Sequence, residues 1–154
     1  MMFKNTFLIF LLILTSSCGY ETIHSKNKSF DNKFSITKIN FEGERTINIK
    51  VKEILNSYIL DNKKKNYNLE ISSKSIKKTI AKDSKGNPSI FNLEVEVVIN
   101  IIEKNMSSQK VKFSESYNYD NNNNTFEIKR YEKEIKINLT ETITRNLIYK
   151  LSNF

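Results

Sequence analysis

Apolar residues along this chain recur with two different periods. FSITKINF carries Phe34, Ile36, Ile39 and Phe41, an alternation with one parity slip, and Gly43 then breaks it. That is a half-buried strand. Ile47, Val51, Ile54, Leu55, Tyr58 and Ile59 follow at steps of three, four and one. The spacing predicts a helix over 46–60 with one apolar stripe. Asn62 can end it, and Lys63, Lys64 and Lys65 stand where the negative end of a helix dipole favours cations.

Two long segments flank KDSKGNPS, in which Asp83, Gly86, Asn87 and Pro88 form the strongest turn signal of the sequence. In the second arm Phe91, Leu93, Val95, Val97, Ile99 and Ile101 share one face, which gives a strand about 35 Å long. With Lys82 opposite Ser89, Ile80 would meet Phe91 and Ile76 would meet Val95. The same register would set Glu70 against Ile101, so one extra residue is expected around Ser72–Ser75. The outer half of this hairpin should project past the core. Lys78 would share a face with Ile76 and Ile80, and Lys77 would stand opposite Glu94.

VKFSESYNY alternates Val111, Phe113, Tyr117 and Tyr119 as a fourth strand. Asn124 with Glu127 three residues on reads as a capping box. Ile135, Leu139, Ile143, Leu147 and Leu151 then repeat every four residues, with Glu132–Lys136 and Glu141–Arg145 as solvated i,i+4 pairs. The order is β-α-β-β-β-α: an α+β domain with one four-stranded mixed sheet packed by two helices. A crossover through the first helix should be right-handed if the strands it joins are parallel.

Ahead of this domain lies FLIFLLILTSSCGY. Its eight apolar residues Phe7 to Leu14 fall far short of the ~20 that span a bilayer. They fit the middle of a secretory signal, with Lys4 before and Thr15, Ser16 and Ser17 after. A cysteine directly behind small residues is the pattern of a bacterial lipoprotein signal, in which Cys18 is lipidated and becomes the first mature residue; the alternatives are an ordinary secretory signal with an incidental cysteine, or an uncleaved anchor. The expected organisation is signal peptide 1–17, lipidated terminus and flexible tether 18–33, and one domain 34–154. The tether segment ETIHSKNKSFDNK has no period and few apolar residues.

Charge changes the picture little. The chain carries +8, and only Lys4 is lost with residues 1–17. A basic balance invites a nucleic-acid or anionic-lipid partner. Only Arg45, Arg130 and Arg145 are arginines, however, whereas base and phosphate readers favour the bidentate guanidinium. Nucleic acid is therefore not expected. The lone Cys18 makes no internal disulfide, and the lone His24 sits in the tether. Gly19, Gly43 and Gly86 supply no phosphate-cradling loop. Glu94 and Glu96 share a strand face beside lysines and read as solvated ion pairs. No catalytic residue, metal site or cofactor is nominated, and the chain is read as non-enzymatic.

The CGY after the signal, the β-α-β-β-β-α order, the central turn between long strands and the SYNY…NNNNTFEI passage into a terminal amphipathic helix together resemble the LptE family of lipopolysaccharide-assembly lipoproteins. The likeness covers residues 18 to about 151. It implies lipid attachment at Cys18 on the periplasmic side of the outer membrane. It also implies an LptD-type β-barrel as partner, plugged by the folded domain, and lipopolysaccharide as cargo. On that footing Lys74, Lys78, Lys82 and Lys85 of the hairpin are the candidates to meet lipid phosphates, as point-charge ligands. The alternatives are a binding lipoprotein of another envelope lipid-transport complex, or a structural lipoprotein without ligand.

Overall fold

The computed structural model describes residues 34–59, 65–103, 108–122 and 124–153. The expected signal peptide, Cys18, the tether, and the helix stop at Asn62 lie outside the described residues. Four strands, β1 (Ser35–Gly43), β2 (Asn66–Lys82), β3 (Pro88–Glu103) and β4 (Ser108–Asp120), form one sheet in the order β1-β2-β3-β4. β1 runs parallel to β2, and the other pairings are antiparallel. Helix α1 (Arg45–Leu55) joins the parallel pair, and the 28-residue helix α2 (Thr125–Ser152) follows β4. The expected α+β class, element order and mixed sheet are therefore the observed ones.

The parity slip in β1 is a bulge. Register shifts between Ile36 and Lys38, so Ile39 pairs with Leu69 and Phe41 with Ile71. One extra residue lets Phe34 and Ile36 on one side of the slip and Ile39 and Phe41 on the other all reach the same core. Helix α1 is shorter than its apolar stripe suggests. After Leu55 it tightens into a 3₁₀ turn, Asn56–Tyr58. The narrower turn swings Tyr58 onto Phe34, rings stacked 5.0 Å apart, while Ile59 is left exposed.

The hairpin register differs from the expected one. Leu69, Ile71, Ser73 and Ser75 face Ile101, Ile99, Val97 and Val95, and Ile76 faces Glu94. The irregularity lies at Thr79–Lys82 beside the turn, not at Ser72–Ser75. This placement keeps Phe91, Leu93, Val95, Val97, Ile99 and Ile101 of β3 on the helix side without disturbing the middle of the ladder. Ile76 and Lys78 do share a face, but Lys77 lies opposite Leu93 on the helix side.

The main core joins α1, the sheet and the C-terminal half of α2 through Ile47, Val51, Leu55, Val95, Val97, Ile143, Leu147 and Leu151. A second cluster of Leu93, Tyr119, Ile128 and Ile135 lies under the first turns of α2. The hairpin therefore keeps its helix cover as far out as Phe91. Thr140 and Thr144 are buried on α2, and their hydroxyls donate to the carbonyls of Lys136 and Thr140. At the start of α2 the Asn124 side chain accepts from the amides of Phe126 and Glu127. The return half of the expected capping box is not made. Asn124 N–H donates instead to Asn122, and Glu127 pairs with Arg130 at 2.7 Å.

The junction from β1 to α1 is the tightest point of the backbone. Gly43 has φ +95°, and a Cβ there would lie 1.9 Å from the Ser73 carbonyl oxygen. That close approach lets Glu44 N–H donate to the same carbonyl at 3.1 Å, while the Ser73 hydroxyl donates to Asn48 at 2.7 Å. Gly86 in the hairpin turn also has positive φ, +84°, but open space around it. The two glycines should therefore separate in a denaturation experiment. Gly86→Ala should lose about 1 kcal/mol, from the left-handed backbone alone. Gly43→Ala should lose roughly 3 kcal/mol or more, because β2 must also move.

Candidate functional site

The turn that carries the outer lysines is built around Asp83. Its carboxylate accepts from the amides of Lys85 and Asn87, at 2.9 and 2.8 Å, and from the Asn87 side chain. Its own N–H donates to the Asn87 carbonyl. These bonds, the one from the Asn87 amide foremost, hold the Asp83 carboxyl below its usual range. The loop therefore presents Lys82 and Lys85 from a fixed frame, both exposed. Among the described residues neither ammonium group has a carboxylate partner.

Lys74 and Lys78 lie on the same hairpin but are spoken for. Lys74 pairs with Glu96 at 3.1 Å, and Lys78 with Glu94 at 3.0 Å. These pairs belong to rows of polar side chains that cross the open face of the sheet, the face without helices. Glu96 also takes Lys112 at 2.6 Å. Glu94 also accepts from Ser114, Asn100 bridges Glu70 and Ser108, and Asn92 donates to Asn118. The donors on neighbouring strands, Ser114 and Lys78 for Glu94 and Lys112 and Lys74 for Glu96, hold both carboxylates below their usual range. The reading of Glu94 and Glu96 as solvated ion pairs is the arrangement found. What the face offers is a wet, charge-paired surface from β2 to β4.

On the helix side, Lys77 was expected opposite Glu94 and Glu132 was expected to pair with Lys136. Both assignments are corrected. The Glu132 carboxylate accepts from Lys77 and from the Tyr119 hydroxyl, each at 2.6 Å. Lys136 reaches Glu44 at 2.7 Å, where Ser75 also donates. Two polar links thus tie α2 to the rest, one to the hairpin and one to the head of α1. The Lys77 ammonium also sits 3.7 Å from the Phe91 ring centre, a geometry worth about 0.5–1 kcal/mol where partly exposed. The expected Glu141–Arg145 pair is present at 2.5 Å.

Sequence reasoning missed the Glu132 link, although a signal was there. Position 132 lies four after Ile128 and three before Ile135, on the apolar stripe itself. A carboxylate on that stripe must find a partner across the interface. Among the described residues no group of His, Cys, Asp and Glu is placed to hold a metal. No described helix is long and apolar enough to cross a membrane.

The Glu132 link has a pH signature. Burial alone would raise the Glu132 carboxyl, but the bonds from Lys77 and Tyr119 outweigh it and hold the group below its ordinary 4.5. The Tyr119 hydroxyl is pushed well above its ordinary 10.0 by burial and by Glu132. A carboxylate depressed in the folded state contributes stability above its unfolded pKa and loses it as pH falls through the folded value. Glu132→Gln should therefore cost about 1 kcal/mol at neutral pH, Lys77 being partly exposed. Denaturation curves of variant and parent should converge as the pH drops below 4.5.

No protein-family model and no curated protein matches this chain. Solved structures do. The rare lipoprotein B of Shewanella oneidensis aligns with a TM-score of 0.57 at 16% identity, over 75% of this chain and 97% of that one. A minor lipoprotein from Acinetobacter baumannii gives 0.55 at 13%, over 76% and 91% of the two chains. Lipoprotein B of Nitrosomonas europaea gives 0.52 at 9%, over 79% and 86%. What the chain shares with these bacterial lipoproteins is the fold.

Proposed function

We propose that this chain is a non-enzymatic envelope lipoprotein of the LptE type. Lipid on Cys18 anchors it to the periplasmic side of the outer membrane, and its folded domain plugs an LptD-type β-barrel that inserts lipopolysaccharide. The observation that carries the reading is the fold shared with rare lipoprotein B structures over nearly their whole length. Rare lipoprotein B is the LptE family, the same one that the CGY terminus and the element order resemble.

The open face of the sheet supports the same reading physically. A domain inside a water-filled lumen must satisfy its polar groups without an apolar contact surface. The rows Lys74–Glu96–Lys112 and Lys78–Glu94–Ser114 do that across three strands. Ion pairing also orders the four candidate lysines. Lys82 and Lys85 meet lipid phosphates first, because no carboxylate competes for them within the described domain. Lys74 and Lys78 contribute more weakly, since a phosphate must displace Glu96 and Glu94.

Isolation of the full-length chain in mild detergent tests the partner. A very large β-barrel should come with it, and Cys18→Ser should abolish lipid attachment. Capture of a transporter complex instead would move the chain to another lipid-transport system, and no stable partner would favour a structural lipoprotein. Replacing Lys82 and Lys85 with Gln should weaken crosslinking to lipopolysaccharide severalfold while barrel assembly persists. Unchanged crosslinking would remove the lysines from the proposal.

A further inference from the structure

The outer end of the seam between α2 and β4 holds a solvent-open cavity of about 860 Å³ that takes no part in the reading above. Its volume lies within the ~300–1,000 Å³ usual for small-ligand sites. Tyr117 and Tyr131 form its ledge, with 48% and 43% of their surface exposed. Both also line the smaller hollow beside it. Buried Tyr119 braces Tyr131 edge-on, ring centres 5.9 Å apart at 81°. The ledge is therefore aromatic, accessible and held in place. Ile80, 56% exposed, continues the apolar strip.

Around this strip stand the amides of Asn118, Asn121 and Asn122. Asn118 accepts from Asn92, Asn121 donates to the Pro88 carbonyl, and Asn122 accepts from Asn124 N–H. Each amide has four hydrogen-bonding positions, and each of these bonds occupies one. Asp120, Glu127 and Glu134 add acceptors, while the one cation of the lining, Arg130, is already bound to Glu127 at 2.7 Å. In a chain of net charge +8 this is a locally acidic spot. It repels phosphates and carboxylates, and its polar walls disfavour a hydrocarbon chain.

We propose that this groove binds an uncharged oligosaccharide. A pyranose ring has apolar C–H faces and a rim of hydroxyls that both donate and accept. Tyr117 and Tyr131 supply the flat apolar surface, and the asparagines and carboxylates supply partners of both kinds for the rim. A second hollow of about 290 Å³ lies on the other side of the tyrosine pair, lined by Ile135, Asn138 and Leu139. The tyrosine pair and Glu134 are thus shared by two neighbouring hollows. The site is chemically opposite to the hairpin lysines and stands or falls without them.

Saturation-transfer NMR on the full-length chain, in a detergent without a sugar headgroup, tests this with cellotetraose, chitotetraose and sulfated cellotetraose. At least one neutral tetraose should bind with Kd about 1 mM. The affinity should fall about tenfold in Tyr117→Ala, return in Tyr117→Phe, and persist when Lys82 and Lys85 are both Gln. Absence of transfer to both neutral sugars, undiminished binding in Tyr117→Ala, or a preference for the sulfated sugar would overturn the proposal. So would loss of barrel co-purification in Tyr117→Ala with sugar binding intact, which would make the groove a protein contact.

Discussion

The pairing of β2 with β3 governs everything built on this sheet. Side chains alternate faces along a strand, so a slip of one residue would carry either Leu69 and Ile71 of β2 or Val97, Ile99 and Ile101 of β3 into water and bring that strand's glutamates beneath the helices. The packing of α1 on β2 and of α2 on β3 enforces one register, and the irregularity is pushed to Thr79–Lys82, where little is buried. Once that parity is set, the destination of each lysine follows. Lys77 goes under α2 to Glu132, whereas Lys74 and Lys78 go to the open face and its glutamates.

The two faces then acquire different physics. The covered face is held by area: fifteen buried apolar residues form its main cluster, at ~1.5–3 kcal/mol for each fully buried large side chain before entropy is counted. Its polar links, Glu132 to Lys77 and Glu44 to Lys136, fix how α2 lies rather than how strongly it holds. The open face contributes little stability, since exposed ion pairs give ~0–1 kcal/mol each. Its value is that its glutamates are matched by lysines and hydroxyls of the neighbouring strands. A sheet finished in this way suits a position in water beside other protein.

Surface charge is correspondingly divided. The hairpin turn, framed by Asp83, offers cations without partners in the described domain, and the groove beside Tyr117 and Tyr131 offers carboxylates, amides and rings. The two regions select ligands of opposite character. An amphiphile that combines phosphate groups with sugar rings presents both kinds of chemistry.

By itself the sequence determined the element order, the apolar stripes of both helices and the core face of β3. All of these follow from local periodicity, which needs no knowledge of neighbours. It also located the β1 slip and the Asn124 cap, whose signals lie within a few residues. The tertiary structure alone decided the hairpin register, because residues 69 and 101 are distant in the chain and either parity offers some apolar pairs. It decided that Lys82 and Lys85 differ from Lys74 and Lys78, since a lysine's partner comes from another strand. It also assembled the tyrosine groove, whose ledge joins β4 to a turn of α2. Such contacts depend on how elements pack, and packing is a property of the whole fold.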